Sequence, residues 1–182
     1  EGLRVPGCLD GFELGVRAIL GQQITVQAAR TLGARLVARF GTDLPQPTNR
    51  LTRLFPTPHA LCMAGSEELG QMGIVRQRQR AIHALAQAVA HDGLILQPGV
   101  DTAQTVSALQ ALPGIGPWTA NYIAMRALRW PDAWMAGDVA LHKALGVPTT
   151  SNPRQAALAT EAASQRWKPW RSYAVVRAWK TL

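Results

Sequence analysis

The chain has 182 residues, 47% of them hydrophobic, which is enough for one sizeable hydrophobic core. Lys and Arg number 19 against 11 Asp and Glu, so the formal net charge is +8 and the pI is near 10.7. Apolar runs stay below the roughly 18 residues of a membrane span, and the first residues show no signal peptide. We therefore expect a cytoplasmic protein that binds nucleic acid, for which this pI is typical. A basic protein without a polyanionic partner is the alternative.

Cysteine and histidine are spaced unfavourably for metal or redox chemistry. Cys8 and Cys62 lie far apart and form no C-x-x-C pair, which argues against a disulfide scaffold, a zinc ribbon and an iron–sulfur cluster. The four histidines form neither H-x-x-x-H nor H-E-x-x-H. We therefore predict that side chains bind no metal, and that the protein needs no zinc, cluster or other cofactor for its activity.

Hydrophobic periodicity predicts helices along almost the whole chain, because apolar residues recur at steps of three and four. In chain order the predicted helices are 12–20, 26–37, a short one from about 66, 76–92, 101–112, 117–129, 139–146, 151–167 and one after 169. A Pro-rich connection is predicted over 44–61, and a period of two occurs only near LILQ, 94–97. The predicted fold class is therefore all-α, with nine or ten helices.

Polar residues that favour helix N-termini stand before three of these segments. Asp101, Asp138 and Asn152 each precede a helix, and Pro153 suits the first helical position. Glycine ends two other segments, at Gly41 and near residue 93. These signals support the helix boundaries independently of hydrophobicity.

The segment LPGIGPWTANYIAMRAL, 112–128, places a tight hairpin directly before an amphipathic helix. Gly114 and Gly116 can adopt positive φ and let another backbone come close, and Pro117 suits the first helical position. The free N–H groups of this helix start lie at a positive dipole end, which favours a phosphate. Neighbouring carbonyls could also bind a monovalent cation. A tight helix–helix turn without any ligand is the alternative.

This hairpin resembles the helix-hairpin-helix of the DNA glycosylase superfamily, which pairs it with a downstream aspartate. Here Asp138 follows Gly116 by 22 residues, across a loop that contains Gly and Pro. VPGCLDGFELGVRAILGQQITV and RWKPWRSYAVVRAW are similar to segments of the bacterial inducible 3-methyladenine DNA glycosylase II family. The resemblance covers the chain from about Val5 to Trp179.

The resemblance implies one helical glycosylase domain over 1–182, built from two helical subdomains with an active-site cleft between them. The helix-hairpin-helix would span about 108–129, and the catalytic loop and helix about 130–146. One departure is large, because that family carries a mixed α/β domain before the helical part and this chain has none. We therefore expect the chain to be the catalytic part of a longer polypeptide.

Asp138 is the candidate catalytic residue. An alkylated purine such as 3-methyladenine is cationic while attached to deoxyribose, so it leaves with little general-acid help. The reaction instead needs a carboxylate that stabilises the electron-deficient sugar and positions a water. Asp138 suits this role because the helix dipole favours its anion, and the resemblance implies the same role. An ordinary N-cap is the alternative, and Asp132 is interpreted as a turn residue.

Three aromatic residues are the candidate base pocket. Trp118 and Tyr122 are four residues apart and so share one face of the helix after the hairpin. By resemblance, Trp179 joins them from the last helix. Their electron-rich rings would attract a flipped cationic purine, although plain core packing is the alternative. Three other tryptophans, Trp134, Trp167 and Trp170, are assigned to packing.

The candidate DNA contacts are Gln23, Gly114, Ile115, Gly116 and Lys143. Gln23 stands where a member of the family has a leucine that fills the gap left by the flipped nucleotide. Lys143 lies just after Asp138 and could contact a phosphate. Arg76, Arg78 and Arg80 alternate along the chain and are interpreted as solvated. A structural Na⁺ or K⁺ would lie on the hairpin carbonyls of Gln110, Leu112 and Ile115.

We predict a monofunctional DNA N-glycosylase that excises alkylated purines by base flipping and Asp-assisted hydrolysis, in base excision repair. Glycosylases of the superfamily that also cut the strand commonly have a lysine where Trp118 stands, so no AP lyase activity is expected. The partner would be double-stranded DNA, bound by a monomer. The alternatives are a non-catalytic helix-hairpin-helix DNA-binding module and a glycosylase of other base specificity.

Overall fold

The computed structural model describes residues 2–49, 51–147 and 152–181. Within these ranges the chain forms ten α-helices, a single 3₁₀ turn and a two-stranded sheet, so the all-α class is confirmed. The helices are α1 (Gly11–Leu20), α2 (Val26–Phe40), α3 (Pro58–Cys62), α4 (Ser66–Gln71), α5 (Arg76–Ala90), α6 (Thr102–Ala111), α7 (Pro117–Arg126), α8 (Val139–Ala144), α9 (Pro153–Ser164) and α10 (Arg171–Lys180). The strands are β1 (Asp43–Thr48) and β2 (Leu51–Arg53).

The Pro-rich segment after α2 is more regular than the sequence predicted. β1 and β2 form an antiparallel hairpin over part of the predicted connection, and α3 follows it. Both strands are edge strands, which tolerate the prolines of β1 because outward N–H groups need no partner. Residues 94–97, where the sequence alternates, form no strand.

The predicted N-caps are confirmed. Asp101 accepts a backbone N–H of α6 at 2.9 Å, and Asn152 accepts one of α9 at 3.0 Å. The helix after the hairpin is shorter than predicted, since α7 ends at Arg126 and Arg129 adopts a left-handed φ of 57°. Capping chemistry was therefore more reliable than periodicity in locating the helix ends.

Two hydrophobic cores meet at α7. Ala120 and Ile123 of α7 belong to the first core, whereas Met125 belongs to the second. The first core also takes fully buried side chains from α1, α2, α5 and α6, namely Val16, Ile19, Leu20, Leu36, Ile82, Leu85 and Leu109. The second is built from Ala133, Trp134, Met135, Leu141 and Val175. This arrangement agrees with two helical subdomains, and α7 lies at their junction.

A buried ion pair connects the loop before α8 to the start of α10. Arg171 donates to both carboxylate oxygens of Asp132 at 2.8 Å, and to Glu161 at 3.2 Å. The side chains of Arg171 and Asp132 are only 10% and 15% exposed. Next to them, the hydroxyl of Ser172 bonds backbone groups on either side of Asp132, at 2.7 and 3.0 Å. Both carboxylate oxygens of Asp132 are therefore used in contacts that hold the fold, which agrees with its interpretation as a turn residue.

The ion pair also sets the pKa of Asp132. Burial alone would raise this pKa, but hydrogen bonds from the side chain and backbone of Arg171, together with its charge, hold it below the usual range. A lowered folded-state pKa means that the pair contributes stability above the unfolded-state pKa of about 3.9. That contribution is lost as the pH falls through the lower folded-state pKa.

We expect Asp132→Asn to lower the free energy of unfolding at pH 7 by about 3 kcal/mol, because it leaves Arg171 buried without a full counter-charge. Urea unfolding followed by tryptophan fluorescence measures this. Asp43→Asn is the matched control, since Asp43 pairs with Arg53 on the surface and should cost less than about 1 kcal/mol. Equal losses of unfolding free energy in the two variants would contradict the assignment. So would a stability of Asp132→Asn that falls at low pH just as the stability of wild type does.

Candidate active site

Asp138 is the N-cap of α8, and only 8% of the residue is exposed. Its Oδ1 accepts the backbone N–H of Leu141 at 2.8 Å. Two indole N–H groups reach the same carboxylate, from Trp118 to Oδ2 at 2.6 Å and from Trp179 to Oδ1 at 3.2 Å. Donors from α7, α8 and α10 thus converge on one buried carboxylate.

The three predicted pocket residues form one aromatic cluster beside Asp138. Trp118 and Tyr122 are stacked, with ring centroids 5.2 Å apart and an interplanar angle of 11°. The ring of Trp179 lies 6.4 Å from that of Tyr122 at 45°. All three are partly buried and pack against the second core. The structure therefore brings together the predicted carboxylate and all three predicted aromatic residues, while their role as a base pocket stays a prediction.

The backbone that leads into Asp138 is held by two neighbouring helices. The carbonyl of Ala136 lies 2.6 Å from Nε2 of His142 on α8 and accepts the hydroxyl of Thr160 on α9 at 2.8 Å. The backbone N–H of Asp138 donates to Met135 at 2.9 Å. Because these bonds restrain the loop directly before α8, the position of the carboxylate does not depend on its cap alone.

The two hairpin glycines have different roles in the turn. Gly114 has a φ of 79°, and a Cβ there would lie 2.9 Å from the Cβ of Ala81 on α5. Gly116 has an ordinary φ of −86° as the N-cap of α7, and apart from its chain neighbours no described residue lies within 4 Å of a Cβ built on it. The prediction of positive φ is confirmed for Gly114 and wrong for Gly116. The missing side chain of Gly116 instead leaves the start of α7 uncovered.

Gln22 connects the loop after α1 to the hairpin. Its Nε2 donates to the carbonyl of Gly114 at 3.0 Å and to the hydroxyl of Thr119 at 3.1 Å. The guanidinium of Arg78, from α5, donates to the carbonyl of Gln22. The next residue, Gln23, is exposed and adopts a left-handed φ of 55°. Two side chains therefore fix the backbone that presents Gln23, next to the hairpin.

The remaining predicted contacts differ in their exposure. Lys143 is exposed on α8, where a phosphate could reach it. Ile115 is only 3% exposed and packs in the first core, so its side chain is not available and only its backbone could contact a ligand. Trp134 is buried and Trp167 partly buried, as predicted for packing, but Trp170 is 58% exposed, so its assignment to packing is wrong.

Sequence reasoning missed three residues that support the site. Arg78 was interpreted as solvated, yet it turns inward because residues 78 and 79 of α5 lie on the inner face of the helix. Gln22 and His142 carried no signal beyond their nearness to Gln23 and Asp138. Polar side chains that bond a distant backbone carbonyl have no periodic signature, so only the fold shows them.

The described residues contain no group of three or more His, Cys, Asp or Glu side chains that could hold a metal ion. Within the hairpin, the carbonyl of Leu112 accepts the N–H of Ile115 at 3.2 Å.

None of the described helices is both long enough and apolar enough to cross a membrane.

Comparison with known proteins identifies the family. Residues 16–170 match the family described as HhH-GPD superfamily base excision DNA repair protein. This chain belongs to the HhH-GPD superfamily. The match includes the hairpin, Trp118, Tyr122 and Asp138, and it ends before α10, which carries Trp179.

Two curated relatives match the chain over nearly all of its length. The chain is 38% identical over 180 residues to DNA-3-methyladenine glycosylase 2 of Escherichia coli, covering 99% of this chain and 61% of that protein. It is 41% identical over 184 residues to a Mycobacterium tuberculosis protein named a probable bifunctional transcriptional activator/DNA repair enzyme, covering 100% of this chain and 35% of that protein. The chain thus spans between a third and two thirds of the length of these relatives.

A solved structure of the same fold is that of a Schizosaccharomyces pombe 3-methyladenine DNA glycosylase in complex with abasic DNA. Its TM-score to this chain is 0.76 at 21% identity, covering 100% of this chain and 84% of that one. At this identity the likeness establishes the fold and nothing further.

The different roles of the hairpin glycines predict different stabilities. We expect Gly114→Ala to lower the free energy of unfolding by about 1–3 kcal/mol, because it combines a left-handed φ with a close approach to Ala81. Gly116→Ala should change stability by less than about 0.5 kcal/mol, since its φ is ordinary and its surroundings are open. Parallel urea titrations measure both, and a larger loss in Gly116→Ala would refute this account of the turn.

Proposed function

We propose that this chain is the catalytic part of a DNA N-glycosylase that releases alkylated purines, such as 3-methyladenine and 7-methylguanine, from duplex DNA. One observation carries the proposal: the indoles of Trp118 and Trp179 both donate to the carboxylate of Asp138. The same geometry therefore places aromatic rings and an anion side by side. The cationic base is attracted by the aromatic rings, and the sugar, which becomes cationic as the base leaves, is stabilised by the anion. The Escherichia coli relative is a DNA-3-methyladenine glycosylase, which supports the substrate class.

The proposed reaction is hydrolysis of the bond between the base and C1′ of deoxyribose. The bond electrons leave with the alkylated purine, whose positive charge is thereby neutralised, and positive charge develops on the sugar. Asp138 stabilises that charge and orients a water, which attacks C1′ and passes its proton to the carboxylate or to solvent. The products are the free base and an intact abasic strand.

The base must leave the duplex before this chemistry can occur. We propose that the flipped purine packs against the aromatic cluster of Trp118, Tyr122 and Trp179, where cation–π attraction contributes about 0.5–2 kcal/mol for each contact. Gln23 would enter the gap left in the stack. Its backbone is suited to this because the residue before it is restrained, by the bond of the Gln22 side chain to Gly114 and by that of Arg78 to the Gln22 carbonyl.

The hairpin is the proposed contact for the phosphates of the damaged strand. The uncovered N-terminus of α7 presents N–H groups beside Gly116, and such groups favour an anion. Lys143 would add a further phosphate contact from α8. The carbonyls of Gln110, Leu112 and Ile115 are oxygen donors of the kind that Na⁺ or K⁺ accepts, and a cation there would add positive charge near the phosphate.

We also propose that the enzyme acts as a monomer and has no AP lyase activity. Strand cleavage by a lyase needs an amine that forms a Schiff base with the sugar. The residue that follows Pro117 is Trp118, whose N–H is engaged by Asp138. Lys143 is the nearest lysine along the chain to Asp138, and it lies on the exposed face of α8.

The test is release of 3-methyladenine and 7-methylguanine from methylated duplex DNA by the chain and by Asp138→Asn. We expect a loss of at least about 100-fold in the variant, since an amide cannot stabilise a sugar cation. Strands should break only after alkali, and borohydride should trap no protein–DNA adduct.

Asp101→Asn is the matched control, because Asp101 caps α6 as Asp138 caps α8 but is exposed and belongs to no aromatic cluster. It should keep wild-type activity. Undiminished release by Asp138→Asn would refute the catalytic role. Salt-sensitive DNA binding without release by either protein would instead indicate a DNA-binding module.

The hairpin proposal predicts a separate effect on affinity. Gly116→Ala should weaken binding to a duplex with a tetrahydrofuran abasic site by about tenfold, because a methyl group would stand between the start of α7 and a phosphate. Fluorescence anisotropy at fixed salt measures it, with Gly65→Ala as the control, since Gly65 is also a helix N-cap with an ordinary φ of −69° and belongs to none of the proposed DNA contacts. Equal affinities of wild type, Gly116→Ala and the control would show that the hairpin is not part of the DNA interface.

A further inference from the structure

Arg126 continues the aromatic cluster by one helical turn. Trp118, Tyr122 and Arg126 are spaced four residues apart along α7, so they lie in one row. Nη1 of Arg126 donates to the hydroxyl of Tyr122 at 3.1 Å, and its guanidinium carbon lies 5.6 Å from the Tyr122 ring centroid. Nη2 donates to the carbonyl of Gly7 at 3.3 Å. Arg126 is thus held against the ring by contacts at both ends of its guanidinium.

The charge of Arg126 has no carboxylate partner within the described part of the chain. The side chain is partly buried, and its Nε is buried with no hydrogen-bond partner among the described residues. Burial raises the pKa of the nearby Cys8 thiol, with the charge of Arg126 acting in the opposite direction, so Cys8 supplies no thiolate at neutral pH. Asp10 and Glu13 also act on Cys8, but Asp10 caps α1 and Glu13 pairs with Arg17 at 2.7 Å.

The stack of Trp118 and Tyr122 therefore has an anionic end and a cationic end. At one end, Trp118 donates to the carboxylate of Asp138 at 2.6 Å. At the other, the π electrons of Tyr122 already interact with a guanidinium. A charge on a base that packs beside this stack, against the ring edges of Trp118 and Tyr122, would lie on the order of 10 Å from Arg126, a distance at which two cations still repel in a partly buried site.

We propose that Arg126 is a specificity-determining residue: its guanidinium, which pairs with no carboxylate of the described residues, sets how strongly the aromatic cluster prefers a cationic base over a neutral one. The inference rests on the proposed function of the cluster as the base pocket. Aromatic rings next to a carboxylate favour a cation strongly. Arg126 opposes that preference, so neutral altered purines compete better than they would in a purely anionic and aromatic site.

The test compares two duplexes that differ only in the altered base, 7-methylguanine, which is cationic while attached, and hypoxanthine, which is neutral. Single-turnover release rates are measured for wild type, Arg126→Met and Arg126→Lys. We expect Arg126→Met to raise the ratio of the 7-methylguanine rate to the hypoxanthine rate about fivefold. Arg126→Lys keeps the charge and should stay within about twofold of the wild-type ratio.

A merely structural role for Arg126 would lower both rates alike and leave the ratio unchanged in either variant, which overturns the proposal. Arg177→Met is the matched control, because it also removes one positive charge but at an exposed position of α10. It should leave the ratio of the two rates unchanged. Effects on DNA affinity cancel in the ratio because the two duplexes share their backbone.

A second measurement covers the case in which hypoxanthine is released too slowly to quantify. Inhibition of 7-methylguanine release is compared for two free rings of similar shape, 1-methylquinolinium, a cation, and quinoline, which is neutral at pH 8. Arg126→Met should raise the preference for the cation by a similar factor, and an unchanged preference overturns the proposal. If wild type releases no 7-methylguanine, the proposed function itself fails, and quinolinium binding followed by tryptophan fluorescence still tests Arg126.

Discussion

Three N–H donors from three helices converge on the carboxylate of Asp138, and the rest of the site depends on this convergence. The backbone of α8 positions one carboxylate oxygen, while the indoles of Trp118 and Trp179 orient the group from α7 and α10. A carboxylate with only its N-cap bond could rotate, because one hydrogen bond leaves its side-chain torsions free. The two indoles remove that freedom and, in the same contacts, hold their own rings beside the anion.

The convergence requires that α10 and the loop before α8 keep their positions relative to α7. The buried pair of Arg171 and Asp132 connects α10 to that loop, and the carbonyl of Ala136 is held from α8 and α9. A buried ion pair stabilises little in total, yet it is intolerant of displacement because either charge alone is costly to bury. It is thus well suited to fixing a geometry, and here it lies six residues before the carboxylate.

Contacts at the first core fix the hairpin relative to α5 and to the loop after α1. Gly114 lies so close to α5 that a Cβ would contact Ala81, and Gln22 bonds the carbonyl of the same glycine. The hairpin and the loop that presents Gln23 are therefore parts of one rigid surface. Between this surface and the second core lies α7, whose row of Trp118, Tyr122 and Arg126 extends from the carboxylate to an unpaired guanidinium within the described chain. The proposed phosphate contact, base pocket and charge preference thus all use residues of α7, with Lys143 added from α8 and Trp179 from α10.

The sequence by itself determined the features that depend on neighbours along the chain. Asp138 before an apolar helical run predicted its N-cap, and the spacing of Trp118 and Tyr122 predicted that they share one face of α7. Only the tertiary structure decided that Trp179, 41 residues away, donates to Asp138, and that Gln22 bonds a carbonyl 92 residues away. It also decided that Arg78 turns inward and that Ile115 is buried. The physical reason is that capping and helical periodicity are set by adjacent backbone, whereas contacts between helices depend on how two cores pack against α7.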